Sequence, residues 1–125
     1  MPLHKAVISA TGVYTPELSI SNAELVEAFN AWASAENARN APRIESGEME
    51  AIGLSSEEFI VKASGIERRY VLNKSGVLDP KVMHPVLPER GDDEISVMAE
   101  MAVSAANEAL GKAGKSAADI DGVIC

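Results

Sequence analysis

Read for apolar spacing alone, the chain shows two clear helical stripes separated by short extended runs. Leu25, Phe29 and Trp32 recur at i, i+4, i+7, with Val26 and Ala33 beside them, which predicts an amphipathic helix to about Ala38. Ser21 and Glu24 stand at capping-box spacing just ahead of that stripe. Ile95, Met98, Ala102, Ala105, Ala106, Ala109 and Ala113 form the second stripe. Asp92 and Asp93 are expected to begin this helix, Lys112 suits its C-terminal dipole, and Gly114 ends it. Its small-residue face predicts close packing on a sheet or another helix.

Between the stripes the pattern is broken. Asn40, Pro42 and Gly47 interrupt residues 39–54, yet Ile44, Met49, Ile52 and Leu54 are apolar, so a short helix is expected there. Ser55-Ser56-Glu57-Glu58 is a second capping signal, Phe59, Ile60 and Ala63 follow as a stripe, and Gly65 is a C-cap. Ile66–Leu72 reads as extended. Residues 73–91 hold three prolines and two glycines and read as a long loop with isolated turns. Two β-branched runs complete the pattern. His4–Gly12 reads as a strand and turn, and Ile120–Cys125 as the start of a buried strand. A strand that starts and stops at residue 125 reads as part of a longer chain.

Composition narrows the function classes. The 125 residues are 46% hydrophobic and 24% charged, ordinary for a soluble globular protein and against wholesale disorder. No apolar run approaches the roughly 18 residues of a membrane span. Met1–Lys5 lacks the apolar core of a secretory signal. A lone cysteine, Cys125, cannot pair within the chain, which favours a reducing cytoplasmic compartment. The net charge of −8 disfavours nucleic acid as a partner. That charge is uneven. Residues 1–61 carry three basic and nine acidic side chains (−6), residues 62–90 six and three (+3), and residues 91–125 two and seven (−5). An anionic ligand remains compatible with the central stretch.

The ordered series is more specific than any one motif. Thr11-Gly12 precedes Tyr14-Thr15-Pro16 and Ser21-Asn22-Ala23-Glu24-Leu25. Glu58-Phe59-Ile60 and Ser64-Gly65-Ile66-Glu67-Arg68-Arg69 follow, then Ser96-Val97-Met98-Ala99, Ala113-Gly114 and Asp119–Ile124. This series resembles the N-terminal portion of β-ketoacyl-acyl-carrier-protein synthase III, a thiolase-fold condensing enzyme. The resemblance spans the chain except residues 30–55 and 73–91.

The resemblance implies an α/β fold. Residues 1–125 would form an incomplete thiolase-like half, with a few strands in a mixed or parallel sheet packed by amphipathic helices. Residues 30–55 would be a helical insertion. It implies a cytosolic, homodimeric acyltransferase that takes an acyl group from acyl-CoA onto a cysteine and condenses it with malonyl-acyl-carrier protein. Acyl-CoA is a substrate, and no resident cofactor is implied. The family's catalytic Cys, His and Asn match no residue of this chain, so the chain alone is expected to be inactive.

Candidate site residues follow from the same resemblance. Phe59 stands where the family typically has a Trp stacked on the CoA adenine; its other reading is core, on a stripe with Ile60 and Ala63. Ala63 replaces an Arg that grips CoA, leaving Lys62 to supply charge. Arg68 and Arg69 read either as ion pairs within the fold or as a basic rim for phosphates and the acidic carrier protein. Phe29 and Trp32 read as core. Cys125 reads as a structural thiol, and His4 and His84 as solvated. Two other readings are compatible with the residues: a hydroxymethylglutaryl-CoA-type or acyl–acyl condensing synthase, and a non-catalytic acidic α/β binding module.

Overall fold

Ser21 ends an extended segment and starts a helix, and the computed structural model shows how. The structure describes residues 6–124; His4 and Cys125 lie outside them. The Ser21 hydroxyl accepts the Glu24 N–H (3.2 Å), and the Glu24 carboxylate accepts the Ser21 N–H (2.9 Å). This reciprocal box satisfies two donors that a helix start leaves orphaned. Helix α1, Asn22–Arg39, follows, within a residue of its expected end. The expected short helix is α2, Ala41–Glu45, with Pro42 in its first turn, where a missing N–H costs nothing. Helix α3, Glu57–Ser64, is capped by Ser56 and closed by Gly65 in the left-handed region at φ 69°. The loop 73–91 contains only the single-turn α4, Ser75–Leu78, and isolated turns.

The sheet differs from expectation. Among the described residues it has two strands, β1 (Leu18–Ser21) and β2 (Arg68–Val71). They pair antiparallel, with Ile20 opposite Arg69 and Ser21 opposite Arg68. The mixed or parallel sheet is therefore not found here. β1 was not expected, because four residues carry too little periodicity to announce a strand. Ala6–Gly12 and Ile120–Ile124 are not strands in the structure, and Val7, Ile8, Val123 and Ile124 are exposed. Strand propensity alone cannot hold a run extended when no neighbour supplies the ladder.

Two compact units result. Pro16–Pro88 forms one; the described residues up to Thr15 join those from Glu89 onward in the other. In the first, Ile20 (1% exposed), Ala28 and Ala33 are buried, and α1 packs against β1, α2, α3 and α4. Phe29 and Trp32 are half-buried rather than core, their ring centroids 5.6 Å apart and tilted by 46°. The second unit is organised by α5, Val97–Ala113. This helix starts at Val97 rather than Asp92, because the Ser96 hydroxyl takes the Ala99 N–H. Gly91 and Glu94 instead close a local turn. Gly114 ends α5 at φ 62°. Its alanine face meets the coil at Gly12 instead of a sheet or helix: Ala105 and Ala109 are half-buried there, and the Val13 N–H reaches Glu108 (2.7 Å). Among the described residues no helix is long and apolar enough to cross a membrane.

Glu24 also ties the loop 73–91 to the start of α1. Lys74 Nζ lies 2.7 Å from its carboxylate. That contact, with the Ser21 N–H and hydroxyl, lowers the Glu24 pKa from an ordinary value of 4.5 to about 2. The depressed pKa sets a direction for acid stability. The stabilisation is complete above about pH 4.5 and is lost as the pH falls toward 2. Urea midpoints measured across that window should fall in the native chain, and more shallowly in Glu24→Gln.

Candidate functional site

A cleft of about 540 Å³ opens in the Pro16–Pro88 unit. Leu25, Val26 and Phe29 of α1 line one part of it, and Phe59 and Ile60 of α3 another. Residues 53–55, the end of the segment returning from α2, complete the lining together with Arg69 and Met83. Such a mostly apolar concavity with one cation is a common form for a small-molecule site. Met83 holds a left-handed backbone at φ 57°, rare for a residue with a side chain.

The sequence candidates fall into different places. Phe59 is 64% exposed, so it is not a core residue here; it presents its ring to the cleft. Lys62 is exposed on the last turn of α3, three residues on, and shares the Phe59 side of that helix. Arg69 joins the cleft lining, whereas Arg68 does not. The two are consecutive on β2, so their side chains leave opposite faces. The proposed basic rim is thus divided. Among the described residues neither Lys62 nor Arg68 forms an ion pair, while Arg69 Nη1 donates to Asn22 Oδ1 (2.9 Å). Arg69 therefore has a structural bond as well as a place on the cleft. His84 is exposed, its Nδ1 3.1 Å from the neighbouring Pro85 carbonyl oxygen.

Three asparagines of α1 were not foreseen. Asn22 is 3% exposed and links three elements: its amide donates to the Ile66 carbonyl (2.7 Å) and accepts from Arg69. Asn30 and Asn37 each bond the backbone of the returning segment. Asparagine is a poor helix-interior residue that prefers to bond backbone. Its recurrence at 22, 30 and 37 was the available signal.

No protein-family model matches the chain. A beta-ketodecanoyl-[acyl-carrier-protein] synthase of Pseudomonas aeruginosa is 57% identical to it over 99 residues, which are 79% of this chain. The match covers 28% of that relative's length, so the chain spans under a third of the curated protein it resembles. Across the matched stretch, the chain is similar to a β-ketoacyl-acyl-carrier-protein synthase, the family that its ordered motifs resemble.

Proposed function

We propose that residues 1–125 are the N-terminal portion of a thiolase-fold condensing enzyme of the synthase III type. Residues 30–55 are its helical insertion and residues 73–91 a long loop. The parent enzyme is a cytosolic homodimer that joins an acyl-CoA primer to malonyl-acyl-carrier protein. A cysteine thioester divides one difficult carbon–carbon bond formation into two easier steps. The 57% identity to a β-ketoacyl synthase carries this reading. The chain's own contribution is substrate capture: Phe59 receives the CoA adenine, while Lys62 and Arg69, on the cleft side, attract the phosphates and the acidic carrier protein, and Arg68 faces away from the cleft. An exposed aromatic beside an apolar cleft supports that role, since a flat heteroaromatic ring stacks well on such a surface.

Calorimetric titration of the chain with CoA tests it. Base stacking on an aromatic is worth about 1–3 kcal/mol, so Phe59→Ala should weaken CoA by tenfold or so. Unchanged affinity removes Phe59 from the site. The 125-residue chain should form no β-ketoacyl product from acyl-CoA and malonyl-acyl-carrier protein; unaided turnover would contradict the proposed division of labour.

A further inference from the structure

The segment between α2 and α3 returns along α1 and is held there by two asparagines used in the same way. Asn37 donates from Nδ2 to the Ile52 carbonyl (2.9 Å) and accepts the Ile52 N–H at Oδ1 (2.8 Å). Asn30 does the same with Ser55, at 3.0 and 2.8 Å. Each side-chain amide thus acts as the peptide group of an adjacent strand would. The spacing is matched. Seven helical residues rise about 10.5 Å, and three extended residues span about 10 Å. Residues 30 and 37 also lie on one face of α1, so both pairs form without distorting either element. Between the two clamps sit Gly53 and Leu54, both on the cleft lining, with Leu54 64% exposed.

We propose that Asn30 and Asn37 are positioning residues that hold the Gly53–Leu54 lip at the Phe59 cleft, and that Leu54 is a specificity-determining contact for a flat nucleotide base bound there. This rests on the reading of Phe59 as the ring-stacking residue. A nucleotide suits the cleft in two ways. Its base is planar and largely apolar on its faces, as the lining requires. Its phosphates complement Arg69 on that lining and the +3 charge of residues 62–90 in an otherwise acidic chain. A free loop at this place would lose part of the base contact to ordering entropy, and the two clamps remove that cost in advance.

The experiment compares CoA with 4′-phosphopantetheine, which lacks the nucleotide, by titrating the full 125-residue chain. Leu54→Ala changes an exposed side chain and leaves the fold intact. It should weaken CoA about fivefold and leave phosphopantetheine unchanged. Asn30→Asp and Asn37→Asp keep an acceptor for the backbone N–H but set a carboxylate oxygen against the Ser55 or Ile52 carbonyl. They should speed hydrogen exchange at those two amides and reduce the preference for CoA to a similar degree. If Phe59→Ala lowers that preference while the Leu54 and asparagine variants keep it, the lip has no such role and the inference fails alone. If Phe59→Ala leaves the preference intact, or the native chain binds neither probe, the stacking reading fails and takes the lip with it. Should the asparagine variants not fold, Leu54→Ala decides the matter.

Discussion

Asn22→Leu should destabilise the Pro16–Pro88 unit by about 3 kcal/mol. Leucine keeps the branched skeleton of asparagine with more bulk, so no cavity opens and the cost comes mainly from the polar groups left unpaired. Two groups lose their partner in the substitution: the Ile66 carbonyl, which accepts from Nδ2, and the Arg69 guanidinium, which donates to Oδ1. A stranded buried polar group costs about 1–3 kcal/mol, and more when it is charged. Arg69 is half-buried and Ile66 is 43% exposed, so both recover part of their loss from water, which keeps the sum near 3 rather than well above it. Asn22→Asp retains the acceptor facing Arg69 and loses only the bond to Ile66, so it should cost less. Urea titration separates the outcomes. The midpoint should drop with little change in slope, because the surface exposed on unfolding is nearly the same. A native-like midpoint for Asn22→Leu would show that the amide is not the link between α1 and β2.

Gly12→Val should have a comparable effect in the unit organised by α5. A Cβ at Gly12 would run into the Ala105 carbonyl oxygen and come within 2.7 Å of the Ala109 nitrogen. Both are backbone atoms of α5, and a helix backbone cannot rotate out of the way as a side chain can. Overpacking of this kind costs about 1–3 kcal/mol, and a branched side chain against main chain belongs at the upper end. The local readout is the Val13 N–H, which is bonded to Glu108 one turn beyond Ala105. Its protection from hydrogen exchange should be lost. Helix content should persist, since Ser96 and Gly114 still cap α5. Gly53→Ala is the control: nothing lies within 4 Å of its Cβ position, so stability should change by less than about 0.5 kcal/mol.

Glu108 illustrates how local and distant groups combine. Its pKa lies below the ordinary glutamate value, first because of Lys112 one turn later, then because of the Val13 N–H. The Lys112 contact is an i, i+4 pair that any reader of helices expects. The Val13 contact joins residues 95 positions apart, and no spacing rule anticipates it.

The same division runs through the candidate site. Phe59 and Lys62 could be placed together from sequence because they stand three apart on a capped helix. Arg68 and Arg69 were grouped as one rim, and the strand separates them by its alternation. Leu54 looked like part of an undefined insertion until Asn30 and Asn37 were seen to clamp the segment that carries it.

What the sequence determined by itself is its local punctuation. The Ser21–Glu24 box, the Ser56 cap, and the left-handed glycines at 65 and 114 place the boundaries of α1, α3 and α5. Only the start of α5 differs, at Val97 rather than Asp92, because the Ser96 hydroxyl takes the Ala99 N–H. These signals work because each interaction closes within three or four residues, at small entropic cost and whatever lies elsewhere. The tertiary structure alone decided which extended runs became strands. Leu18–Ser21 and Arg68–Val71 supply each other's ladder, while the more β-branched runs near residues 8 and 123 have no such partner among the described residues and stay unpaired. It also decided which side chains meet at the cleft. Strand pairing and cleft assembly both depend on groups supplied from tens of residues away, and a polar group's partner is chosen by where the whole chain closes rather than by what stands beside it.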